Sequence, residues 1–85
     1  MASFSVFIKP SAAKELGRIP LKDRRRVARR IAALADDPRP AGCEKLAGED
    51  AWRLRQGGYR ILYTIEDDIL TVIVIKVGDR KDVYR

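Results

Sequence analysis

The stretch Trp52-Arg53-Leu54-Arg55-Gln56-Gly57-Gly58-Tyr59-Arg60-Ile61-Leu62-Tyr63 reads as a β-hairpin with its register written into it. Gly57-Gly58 can take the positive backbone dihedrals of a two-residue loop, which sets Gln56 against Tyr59 and Arg55 against Arg60. Trp52 and Leu54 then fall opposite Tyr63 and Ile61, giving one apolar face. Arg53, Arg55, Arg60 and Leu62 occupy the other. Like charges directly opposed on a strand pair are unfavourable, so Arg55 against Arg60 weakens the hairpin unless something anionic sits there. That conflict marks a candidate site.

The rest of the chain is arranged to supply partners for this hairpin. From Ser3 to Lys9, Phe4, Val6 and Ile8 alternate with Ser3, Ser5 and Phe7, which predicts a first strand ended by Pro10. Ser11 is the candidate N-cap of a short helix on Ala12, Leu16 and Ile19, stopped by Pro20. A second helix runs from Leu21 to Ala35 with Val27, Ile31 and Leu34 as its buried stripe and Ala28 and Ala35 beside it. Asp36 to Asp50 reads as a Pro/Gly-rich loop. Beyond the hairpin, Asp67-Asp68 is the expected turn into an apolar run, Ile69 to Val77, of the kind found in strands covered on both faces. Pairing across that turn sets Ile65 against Leu70, Tyr63 against Val72 and Ile61 against Val74, with Arg60 opposite Ile75 and Leu62 opposite Ile73. The fold expected is α+β: two N-terminal helices on one face of a small, mainly antiparallel sheet, in the order β-α-α-β-β-β plus a short C-terminal tail. Residues 1–85 make a single domain of one core.

Composition narrows the function. Apolar residues make up 46% of the chain, yet no run approaches the ~20 needed to cross a bilayer. The first residues lack a basic segment followed by an apolar one, so no secretory signal and a cytoplasmic location are expected. There is no His and a single Cys, Cys43, which argues against a zinc set and allows no internal disulfide. Net charge is +6 and both halves of the chain are net basic, favouring a polyanionic partner, with nucleic acid ahead of a membrane. On the second helix, Lys22, Arg26 and Arg30 form one row and Arg25 with Arg29 another. Such a face can be merely solvated, or can dock RNA phosphates or an acidic protein.

Arg53, Arg55, Arg60, Arg80 and Tyr84 can converge at one end of the sheet, because the tail from Gly78 leaves the last strand where Tyr59 and Arg60 begin theirs. Guanidinium forks match phosphate oxygens bidentately and stay charged at any working pH. For chemistry on RNA the nearest nucleophile is the substrate's own 2′-OH, attacking the neighbouring phosphorus. With no imidazole available, Tyr84 is the best candidate for proton transfer, since surrounding arginines favour the phenolate. Arg60 and Arg80 would stabilise the charged phosphorus centre. Neither lies on the apolar face, so their replacement is expected to leave the fold intact.

Lys45-Leu46-Ala47-Gly48, Gly58-Tyr59-Arg60-Ile61-Leu62-Tyr63 and Val77-Gly78-Asp79-Arg80-Lys81-Asp82-Val83-Tyr84, in this order, resemble the RelE toxins of the RelE/ParE superfamily. The resemblance covers essentially the whole chain. It implies a RelE-like fold and the toxin of a type II toxin–antitoxin pair, an endoribonuclease that enters the ribosomal A site and cuts mRNA without metal or cofactor. By matching position it implies catalytic roles for Arg60, Arg80, Tyr84 and Arg53, and RNA contacts for Arg55, Lys45, Lys81, Arg26 and Arg30. The implied partners are a small acidic cognate antitoxin, the ribosome and mRNA, with operator DNA reached only through the antitoxin complex. Two positions depart from the best-known relatives: Ala51 stands where a second strand lysine is found, and Asp79 where many carry a His. The competing readings are a ParE-like toxin that inhibits DNA gyrase without catalysis, and a degenerate toxin acting as an antitoxin's corepressor.

Overall fold

The computed structural model describes residues 3–79. Five strands and two helices follow in the order β1 (Ser5–Ile8), α1 (Pro10–Gly17), α2 (Leu21–Ala33), β2 (Glu44–Lys45), β3 (Trp52–Gln56), β4 (Tyr59–Glu66) and β5 (Thr71–Asp79). They form one sheet in the order β1-β5-β4-β3-β2, antiparallel except where β1 runs parallel to β5. The α+β reading holds. One short strand is added to it: Glu44-Lys45, expected within a loop, pairs with Arg53 and Trp52.

Both helices lie on one side of the sheet, because each offers a single apolar stripe and the meander a single apolar face. Ala12 and Ile19 from the first helical region and Val27, Ile31 and Leu34 from the second meet Leu54, Ile61, Tyr63, Val72, Val74 and Val77 of the sheet, all nearly inaccessible to solvent. Ala28, expected to flank that stripe, is exposed. Ser11 is not the cap of α1. Lys9 holds that position without a side-chain bond, and Pro10 opens the helix, where its missing N–H costs nothing.

The β3–β4 hairpin has the register read from the sequence: Trp52 pairs with Tyr63, Leu54 with Ile61, Arg55 with Arg60 and Gln56 with Tyr59. Gly57 carries a φ of 60°, as the first central position of a type II′ turn requires. The β4–β5 register differs from the expectation. The connection is a 3₁₀ turn over Asp67–Ile69 followed by Leu70 in the left-handed region at φ 48°, so four residues separate the paired Glu66 and Thr71. Tyr63 therefore meets Val74 and Ile65 meets Val72. A bulge then intervenes between Leu62 and Tyr63, after which Leu62 pairs with Lys76, Ile61 with Val77 and Arg60 with Gly78. Uninterrupted alternation after Val74 would aim Lys76 at the helices; the extra residue delivers Val77 there instead. Nor is β5 covered on both sides throughout: Val72, Val74 and Val77 are buried while Ile73 and Ile75 are only partly so.

Two further devices fix the frame. Among the described residues no strand lies beside the outer edge of β5 beyond Ile8, and Glu15 of α1 closes that edge, accepting the Val77 backbone N–H at 3.0 Å and the Lys76 ammonium at 3.0 Å. At the other end the buried Tyr63 hydroxyl donates to the Pro38 carbonyl at 2.8 Å, pinning the loop that follows α2. Arg39 of that loop sits 5.3 Å above the Trp52 ring and makes a two-pronged ion pair with Asp67. Among the described residues no helix is long and apolar enough to cross a membrane.

Candidate functional site

The face of the sheet turned away from the helices carries the arginines. Arg53 and Arg55 are two apart on β3 and so project to the same side, and the register places Arg60 of β4 directly opposite Arg55. Arg53 Nη2 donates to Glu44 Oε2 on β2 at 2.5 Å, with the Arg53 side chain only 13% exposed. Arg55 is exposed. Arg60 is 4% exposed, the one buried charged residue among those described. Its burial was not expected from the sequence, which tells only that it lies off the apolar face. Replacing Arg60 therefore removes filled volume as well as charge. Arg55, Gly57, Gly58, Tyr59 and Arg60 together line a hollow of about 50 Å³ at the hairpin end.

Other residues expected at the site lie elsewhere. Lys45 is exposed on β2, opposite Trp52, bordering a shallow depression along the loop from Leu46 to Asp50. Arg26 and Arg30 are on α2, on the helix side of the sheet. With Arg29, Ala33 and Gln56 they line a cleft of about 250 Å³. The hairpin end thus stands between two basic regions rather than within one. Arg80, Lys81 and Tyr84 lie outside the described residues; the last described residue, Asp79, pairs with Tyr59. Ala51 is 6% exposed, so this position faces the interior.

The described tyrosines are poorly suited to take a proton. Burial, with the adjacent Cys43 adding to it, pushes the Tyr63 phenol far above its ordinary value, and its hydroxyl is committed to Pro38. Partial burial, then the Asp23 and Asp79 carboxylates, raises Tyr59 as well. Tyr59 lines a separate cleft of about 410 Å³ between the α1–α2 corner and the end of β5, with Glu15, Arg18, Lys76 and Asp79 among its walls. Three features escaped the sequence reading: the Glu44 partner of Arg53, the Asp23 neighbour of Tyr59, and the Glu15 edge clamp. Each joins residues distant in the chain, and no local pattern announces them.

The chain matches the family model described as the ParE toxin of the type II toxin–antitoxin system parDE, over residues 6–84. It belongs to that family. This ParE-family toxin is also 44% identical to toxin RelG of Mycobacterium tuberculosis over 41 residues, a match spanning 48% of this chain and 45% of RelG. Its fold is that of solved RelE proteins. A chain of the archaeal RelE–RelB complex from Pyrococcus horikoshii superposes with a TM-score of 0.83 at 26% identity, covering 92% of this toxin and 96% of that chain. A double arginine mutant of Escherichia coli toxin RelE in the free state superposes with a TM-score of 0.76 at 30% identity, covering 99% of this toxin and 92% of that chain. This toxin is thus a toxin component of a type II toxin–antitoxin system within the RelE/ParE superfamily.

Proposed function

We propose that this protein is a ribosome-dependent mRNA endoribonuclease, held in check by a small acidic antitoxin of the RelB kind. The observation that carries the reading is the placement of Arg53, Arg55 and Arg60 on the one face turned away from α1 and α2, with Arg60 buried at 4% exposure. A guanidinium held by its surroundings is preorganised for charge that develops during reaction, which a solvated arginine is not.

In the mechanism proposed, the substrate's 2′-oxygen attacks the adjacent phosphorus while Tyr84 accepts the 2′-OH proton. The P–O5′ bond breaks, leaving a 2′,3′-cyclic phosphate, and the departing 5′-oxygen is protonated to a 5′-OH. Arg60 and Arg80 stabilise the phosphorane, and Arg53 neutralises the scissile phosphate. Arg55, Lys45, Lys81, Arg26 and Arg30 hold RNA. Assignment of the base to Tyr84 is supported by elimination within this chain: it contains three tyrosines, and the phenols of Tyr59 and Tyr63 are both raised. The acid/base set is sparse, so the ribosome supplies the in-line alignment of the 2′-OH, and free RNA is a poor substrate. The site of action is the cytoplasm.

One observation favours a second reading. The matching family model is described as ParE, and a ParE-like toxin would inhibit DNA gyrase through its surface without cutting RNA. Expression with and without the acidic protein encoded beside it, with 5′-end mapping of translated mRNA and gyrase supercoiling in parallel, separates the two. Cuts in mRNA with normal supercoiling support the nuclease. Lost supercoiling with intact mRNA supports the gyrase toxin. A folded protein that binds antitoxin and does neither is a corepressor.

A further inference from the structure

The face turned away from α1 and α2 is not uniformly basic. Phe7 pairs with Ile73 across β1–β5, and Ile73 with Thr64 across β5–β4. Leu62, two residues before Thr64 on β4, pairs with Arg53. Phe4, Val6 and Ile8 pack on the core, so the intervening Phe7 projects to the opposite side, where it is 54% exposed. Both helices lie across the sheet from it. An apolar row of Phe7, Ile73 and Leu62 therefore runs into the arginine end of the same face. From Arg60 to Phe7 is two strand spacings across and four residues along, a diagonal of ~17 Å.

We infer that this row is a nucleobase platform with Phe7 as its stacking anchor, so that a short single strand of RNA lies diagonally over the sheet with its phosphates toward Arg55 and Arg60. The inference rests on the nuclease reading and extends it to how the substrate is gripped. Charge complementarity selects the occupant. An acidic segment of a protein partner would match the guanidinium end but brings no regular succession of flat rings for Phe7, and a second copy of this chain would bring a further net charge of +6. A single strand offers both what the aromatic ring takes and what the guanidiniums take, since every base has a π-face and every linkage a charge. A duplex has its bases already stacked and gains nothing from Phe7.

The test titrates the isotope-labelled full chain with a short RNA whose 2′-OH groups are methylated, so that it cannot be cut, in single-stranded and duplex form. The expected result is movement of the Phe7 ring and Ile73 methyl resonances together with the Arg55 side chain, for the single strand only. Phe7→Ala should weaken that binding by roughly 5- to 160-fold, the range of one lost base–aromatic stack, while Phe7→Tyr restores it. Phe7 is half exposed, so both variants should fold. Should Phe7→Ala fail to fold, the resonances of the unaltered protein still decide. Unmoved Phe7 and Ile73 signals overturn the inference, as does unchanged binding by Phe7→Ala. So does a Phe7→Ala variant that loses antitoxin binding or self-association but not RNA. Because the oligonucleotide cannot be cleaved, a protein that binds it here yet never cuts mRNA on the ribosome fails the nuclease reading alone.

Discussion

Arg55 and Arg60 are direct partners in the β3–β4 register, one exposed and the other 4% exposed. Two cations opposed on adjacent strands oppose folding, a cost that the proposed phosphate ligand at the hairpin end would offset. Arg55→Thr should therefore raise stability by ~0.2–1 kcal/mol while slowing mRNA cleavage. Urea denaturation and a cleavage assay on the same preparation check both halves. A variant that loses stability as well as activity would mean Arg55 is structural.

Arg60 behaves differently because it is buried. Arg60→Ala should slow single-turnover cleavage by about 100- to 1000-fold and also lower stability by ~1–3 kcal/mol, the usual cost of truncating a buried side chain. Arg60→Lys keeps a charge but loses the planar fork, and should recover more stability than activity. Full activity in the lysine variant would remove bidentate phosphate contact from the account.

Tyr63 ties the loop after α2 to the sheet through its bond to the Pro38 carbonyl. Its phenol is raised in the folded state above the ordinary value of about 10. Below that pH the tyrosine is neutral folded or unfolded. As pH rises past it, the unfolded chain releases the proton while the folded one keeps it, so stability falls toward higher pH. Tyr63→Phe should cost ~1–3 kcal/mol at neutral pH by stranding the carbonyl, and should flatten the alkaline decline. Thermal melts between pH 8 and 11, taken as an approximate window about that phenol value, check this. An unaltered alkaline slope would place the titrating group elsewhere.

The hairpin and the buried stripe of α2 were legible because each is a local pattern, a Gly-Gly turn between alternating flanks and apolar residues at helical spacing. The β4–β5 register was not. Asp67-Asp68 suggests a two-residue turn, and nothing about leucine advertises that Leu70 takes a positive φ; the bulge follows from burying Val77 rather than Lys76, a tertiary requirement. The Glu44-Lys45 strand is too short to show any period. Sequence also placed Arg53, Arg55 and Arg60 on one face, but alternation assigns a face and not a depth, so the burial of Arg60 and the Glu44 partner of Arg53 emerged only from the fold. Arg26 and Arg30 were legible as a basic row on the second helix, apart from the arginine face, and the fold keeps them apart.

Asp67 is held below the usual carboxylate range by its hydrogen bond to Arg39. A depressed value means the folded chain favours the carboxylate, so this contribution is present above the unfolded value of about 3.9 and is lost as pH falls through the lowered one. Asp67→Asn should soften acid unfolding in that window and hardly alter neutral stability, since the pair is exposed. Acid titration followed by circular dichroism checks it. A large loss at pH 7 would show that the Arg39 and Trp52 contact depends on this ion pair.

Tyr84→Phe removes the proposed base while leaving the arginines. Single-turnover cleavage on programmed ribosomes should slow by about 100-fold or more with ribosome binding unchanged. Undiminished cleavage would send the proton to another acceptor.

The proposed activity is breakage of a phosphodiester in translated mRNA. Its most direct test is to incubate purified toxin with ribosomes carrying a defined mRNA and to determine the chemistry of both new ends. The expected result is a cut within the A-site codon, with a 2′,3′-cyclic phosphate upstream and a 5′-OH downstream. Intact mRNA under conditions where the same preparation abolishes gyrase supercoiling would contradict it.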